Sequence, residues 1–130
     1  MKIKLTSVLV NDQAKALTFY TEVLGFVKKR DIPLGDFKWL TVVAPDEPDG
    51  VELLLEPNDN PAAQTYQQAL FEQGIPLTAF AVEHMEHEYA RMKTLGVVFQ
   101  TEPTPMGDVV AAVFDDTCGN LIQLYEIAGG

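Results

Sequence analysis

The sequence predicts an α+β fold in which two tandem βαβββ modules form a cup-shaped, curved mixed sheet. Three observations carry that expectation. The order strand, helix, three strands is given twice. Short segments of the two halves match at nearly constant spacing. The strand face turned away from the helices mixes small, apolar and acceptor residues, where a solvated face would be polar throughout.

Taken in order, "IKLTSVLV" (3–10) is rich in β-branched residues and nearly alternates, as a strand does. "NDQAKALTFYTEVLG" follows as a helix: Asn11 or Asp12 can cap it, Leu17, Tyr20 and Leu24 sit at helical spacing, and Gly25 ends it. "FVKKRDI" and "FKWLTVVA" are strands around a break at Pro33–Gly35. The turn cluster "PDEPDG" then leads into the strand "VELLLE" (51–56). Residues 1–60 thus make the first module. A helix, "AAQTYQQALFEQ", opened by Asn60 and Pro61 and closed by Gly74, links the halves over 61–76.

The second module, 77–130, repeats the order. "LTAFAVE" (77–83) is its first strand, and "HMEHEYARMKTL" a helix with Met85, Tyr89 and Met92 on one stripe, ending at Gly96. "VVFQTE", "DVVAAVFDD" and "NLIQLYE" are the remaining strands. "LTSVLVND" from Leu5 matches "LTAFAVEH" from Leu77, 72 residues on, and "LGFV" from Leu24 matches "LGVV" from Leu95, 71 on. "DGVELLLE" is set against "CGNLIQLYE" with Glu52 over Gln123, again 71 on.

Alternation divides each sheet into two faces. Val8, Val10, Val51, Leu53 and Leu55, with Phe80 and Val82 in the second half, are expected to pack on the helices. The opposite face takes Leu5, Ser7, Leu9, Glu52, Leu54 and Glu56, then Leu77, Ala79, Ala81, Leu121, Gln123 and Tyr125. Such a composition suits a ligand-binding concavity, with Gln123 looking into it. Trp39 shares parity with Phe37, Thr41 and Val43, so Trp39, Phe37 and Tyr125 either form an aromatic wall there or are ordinary strand packing. The candidate ligand-binding residues are Leu5, Ser7, Trp39, Glu52, Leu54, Leu77, Ala79, Gln123 and Tyr125.

Composition narrows the partners. A chain of 130 residues with 47% hydrophobic and 22% charged residues is expected to fold as one domain. Its net charge of −10, with no basic run, disfavours nucleic acid and anionic membranes and leans toward a cationic or neutral ligand. The apolar run near the N-terminus is too short for a signal peptide, and no segment has the length of a membrane span. A lone cysteine, Cys118, excludes an internal disulfide, and a cytoplasmic location is expected.

Two stretches, "SVLVNDQAKALTFYTEVLGF" and "FDDTCGNLIQLYE", resemble the vicinal oxygen chelate superfamily of glyoxalase I, bleomycin-resistance proteins and extradiol dioxygenases. The resemblance covers essentially the whole chain. It implies metal ligands on the first and fourth strands of each repeat, which carry over to Leu5, Glu52, Leu77 and Gln123. A catalytic zinc site needs about three protein ligands of N, O or S type, and leucine offers none. No metal or other cofactor is therefore expected at these positions, a divalent metal being the alternative. The resemblance also implies a homodimer.

Glu52 is read either as a general base or counter-ion, its pKa raised by desolvation, or as a solvated rim carboxylate. Gln123 can orient a partner but does not titrate. His84 and His87 are read as a solvated helix entrance, with a metal pair as the alternative. Cys118 is read as a turn residue rather than a nucleophile, and "TPMGD" (104–108) as a flexible lip or a plain connection. The expected function is glyoxalase/bleomycin-resistance/dioxygenase-like binding of a small molecule without the family metal. The alternative is a glyoxalase I-like lyase or extradiol dioxygenase-like enzyme acting on a small carbonyl or aromatic compound.

Overall fold

The computed structural model describes residues 1–127. The chain divides into two compact units, Met1–Tyr66 and Gln67–Gly130. Each holds one four-stranded mixed sheet with βαβββ connectivity.

The first unit contains β1 (Leu5–Val10), α1 (Gln13–Thr18), β2 (Val27–Leu34), β3 (Phe37–Val43) and β4 (Glu52–Pro57). Asp12 caps α1, its carboxylate accepting from Lys15 N at 3.1 Å. The helix continues as a wider π-type turn over Phe19–Val23 before Gly25, at φ +90°, ends it. Strand order is β1-β4-β3-β2, with β1 and β4 parallel and the other pairs antiparallel. Val8, Val10, Leu40, Val42 and Leu55 are buried on one face, as are Ala16, Phe19 and Tyr20 of the helical segment. Gln13 fastens the helix to the sheet. Its Nε2 donates to the Lys38 and Leu55 carbonyls at 2.8 Å each, and its Oε1 accepts from Lys38 N at 3.0 Å.

The second unit contains β5 (Thr78–Ala81), α3 (Met85–Thr94), β6 (Phe99–Met106), β7 (Val109–Asp115) and β8 (Leu121–Ile127), in sheet order β5-β8-β7-β6. Its core is Ala112, Phe114, Ile122 and Leu124 with Met85 and Met92, two of the three expected stripe residues. Tyr89 completes the stripe by meeting Phe99 edge-on at 4.6 Å. The linking helix α2 (Pro61–Glu72) carries the boundary between the units. No helix among the described residues is long and apolar enough to cross a membrane.

The turn before β8 is built on a buried carboxylate. Asp116 Oδ1 accepts from the backbone N–H groups of Cys118 and Asn120, at 2.8 and 3.0 Å, and Oδ2 accepts from Asn120 Nδ2 at 2.8 Å. Gln67 of α2 donates to the Cys118 carbonyl at 3.1 Å and to Asn120 Oδ1 at 2.9 Å. Cys118 is fully buried in this network, as suits a turn residue.

Several expectations are corrected. Strand β1 begins at Leu5 rather than Ile3, and Val51 precedes β4 and is 46% exposed rather than packed on a helix. "TPMGD" is not a lip: Thr104, Pro105 and Met106 pair with Ala111, Val110 and Val109, and the hairpin turns at Gly107. The break placed at Pro33–Gly35 is likewise narrower, since Pro33 and Leu34 pair with Lys38 and Phe37. These prolines sit in strands because β2 and β6 are the edge strands of their sheets, where a missing donor costs no ladder bond.

Candidate functional site

Strand register decides which side chains share a face. In the first unit Leu5 lies beside Glu52, Ser7 beside Leu54, and Leu9 beside Glu56. Leu54 in turn lies beside Thr41, and Thr41 beside Arg30. Alternation then puts Trp39 and Phe37 of β3, and Ile32 and Leu34 of β2, on this same face, opposite the helix. Five predicted site residues, Leu5, Ser7, Trp39, Glu52 and Leu54, therefore share one sheet face. Its apolar side chains are only partly covered: Leu5, Ile32, Leu34 and Phe37 are exposed, Trp39 is half-buried and Leu54 buried.

Glu52 is the polar centre of this face. Its Oε1 accepts from Thr41 Oγ1 at 2.8 Å and from Arg30 Nε at 3.0 Å. Thr41 is fully buried between the apolar neighbours Leu40 and Val42, and the carboxylate satisfies its hydroxyl. The Thr41 hydrogen bond, followed by that from Arg30 and the positive charges of Arg30 and Lys29, holds the carboxyl below the usual glutamate value and outweighs desolvation. The direction is opposite to the rise expected of a general base. Arg30 and Thr41 were not among the predicted site residues. A lone hydroxyl within "WLTVV" was the available signal, since a buried threonine needs an acceptor.

In the second unit Ala79 lies beside Gln123 and Ala81 beside Tyr125, while Leu77 N donates to the Leu121 carbonyl at 2.9 Å. Leu77, Ala79, Gln123 and Tyr125 thus line the corresponding face of that sheet. The register corrects the internal alignment. Glu52 stands level with Leu5, but Gln123 stands level with Ala79, not with Leu77. The counterpart of Gln123 is Leu54, and that of Glu52 is Leu121. Setting Gly50 over Gly119, 69 residues on, yields the register that the strands adopt.

His84 precedes α3 without capping it through its side chain, and both His84 and His87 are exposed at the helix entrance. A separate cleft of about 450 Å³ opens at the end of the first sheet, lined by residues that include Asp12, Asp36, Phe37, Asp59 and Gln64. Asp12 is already committed there as the α1 cap.

The profile of the Glyoxalase/Bleomycin resistance protein/Dioxygenase superfamily matches residues 2–124. The chain belongs to this superfamily. It is 59% identical to the uncharacterised protein YurT of Bacillus subtilis (strain 168), over 97% of this chain and 99% of that one. Among solved structures it is similar to UcmS2, with a TM-score of 0.82 and 32% identity over 96% of this chain and 97% of that one. It is also similar to TnmS3, described as an antibiotic binding protein from Streptomyces sp. CB03234. There the TM-score is 0.78 and the identity 26%, covering 98% of this chain and 97% of that one.

Membership raises the question of the superfamily's metal. The four carried-over positions are two hydrocarbons, Leu5 and Leu77, one neutral amide, Gln123, and one carboxylate whose Oε1 already holds two donors. Among the described residues no group of three or more His, Cys, Asp or Glu side chains is placed to hold a metal ion. This donor set does not fit a catalytic zinc site, which takes about three N, O or S ligands from the protein.

Proposed function

We propose that this chain is a small-molecule-binding member of the superfamily that holds an apolar compound by non-covalent contact, without metal chemistry. The observation that carries the reading is the helix-free face of the first sheet. Leucine and aromatic side chains stay accessible there around one hydrogen-bonded ion pair, Arg30–Glu52. Ligand sites have this make-up: a largely apolar surface with a few convergent polar groups that fix orientation. The similarity to an antibiotic binding protein over nearly the whole chain supports the same reading. A metal-dependent lyase or dioxygenase would need donors that Leu5 and Leu77 do not possess.

The test is a thermal-shift screen of the protein, with and without prior chelation, against aromatic antibiotics and small carbonyl metabolites. A ligand that prefers the folded state raises the melting temperature, by an amount that grows with its concentration. At least one aromatic compound is expected to give the same shift in both preparations. Shifts seen only with added metal, or turnover of a carbonyl compound, would overturn the reading.

A further inference from the structure

The Arg30–Glu52 pair is unequal in a way that bears on what is bound. Glu52 is the less exposed partner, its side chain 18% exposed, whereas that of Arg30 is 51% exposed. Glu52 Oε1 receives two donors, and Lys29 adds a second positive charge close enough to lower its pKa further. Arg30 is used sparingly. Only its Nε is engaged, and its terminal nitrogens make no hydrogen bond among the described residues. Glu52 and Thr41 therefore act as positioning residues. They fix one edge of the guanidinium and leave the other edge open to the helix-free face.

We infer that Arg30 is the recognition group of this face, and that the molecule bound there carries a carboxylate, or an equivalent pair of oxygens, on an apolar ring-bearing body. The inference rests on the reading of this face as a ligand site. Two terminal NH₂ groups of one guanidinium are parallel donors whose spacing matches the two oxygens of a carboxylate. Glu52 removes the side-chain freedom that a lone arginine would lose on binding. The apolar part of the ligand then covers Ile32, Phe37 and Trp39, on the same face as Arg30. This departs from the lean toward cationic or neutral ligands that the net charge of −10 suggests. A charge summed over the whole surface says little about the patch beside Glu52, where the more exposed member of the ion pair is an arginine.

The test uses three probes that share one ring system: naphthoate, naphthylmethanol and naphthylmethylamine. Each is titrated into the full chain while the indole N–H resonance of Trp39, the single tryptophan, is followed. Naphthoate is expected to bind roughly tenfold more tightly than the alcohol, the equivalent of one charge-assisted hydrogen bond. The amine is expected to bind most weakly. Arg30→Gln should equalise naphthoate and the alcohol, and Arg30→Lys should give an intermediate ratio, because it keeps the charge and loses the fork. Lys28→Gln removes a cation from the same strand on the helix-side face, level with buried Val42, and should leave the ratio intact. Equal binding of all three probes, or loss of the ratio in Lys28→Gln, would overturn the assignment of Arg30 while leaving the face a ligand site. Tightest binding of the amine would make Glu52 the recognition group instead. Failure of every probe to move the Trp39 signal would sink both this inference and the reading of the face beneath it.

Discussion

Two donors converge on Glu52 Oε1, and both favour its charged form. Because the carboxyl is held below its ordinary value, its contribution to stability is complete above the unfolded-state pKa. That contribution is lost as pH falls through the folded-state value. Glu52→Gln is therefore expected to flatten the acid limb of the stability–pH profile, with little change in slope near neutral pH. A steeper loss of stability in the wild-type protein at alkaline than at acid pH, traced to this residue, would contradict the assignment. Gly119 supplies a second prediction at this scale. It sits at φ +100°, and a Cβ there would lie 2.8 Å from Gln67 Nε2, which is tied to the Cys118 carbonyl and Asn120. Gly119→Ala should lower unfolding free energy by about 1–3 kcal/mol in urea titrations, the combined cost of backbone strain and a displaced hydrogen bond. A neutral effect would mean that the turn relaxes.

Among the elements, the opposite faces of the first sheet respond differently to truncation. Leu55→Ala, on the helix-packed face, is expected to cost about 2–5 kcal/mol, whereas Leu5→Ala, 44% exposed on the other face, should stay within about 0.5 kcal/mol. Chemical denaturation of the two variants checks the division of faces directly, and equal losses would refute it. Gln13→Ala should cost about 1–3 kcal/mol, because it removes three hydrogen bonds that tie α1 to the neighbouring strands. Alternation and helical spacing made most elements readable, including the buried pairs Val8–Val10 and Met85–Met92. Edge-strand prolines were not: Pro33 reads as part of a break and Pro105 as part of a lip or connection, yet an edge strand has a side without a partner, so β2 and β6 run through them. Register was readable in the first module, where Leu5 and Glu52 meet. In the second it slipped by two residues, because alternation fixes only the face and a shift of two keeps the same face.

At the scale of the molecule, the duplication and the superfamily were readable from two motif stretches and the repeated element order. The chemistry of the candidate site was only half readable. A sequence shows that Leu5 and Leu77 cannot ligate a metal, but it does not show that Glu52 is shared between a threonine and an arginine from other strands. Those contacts are set by pairing between β2, β3 and β4, which local pattern does not specify. We propose that this superfamily member holds its ligand through apolar contact and an oriented arginine, with no metal taking part. The most direct test is calorimetric titration of naphthoate into chelator-treated protein, repeated after adding zinc, iron or manganese. The same affinity and a one-to-one stoichiometry per chain are expected in every preparation. Binding that appears only when a metal is restored would contradict this proposal.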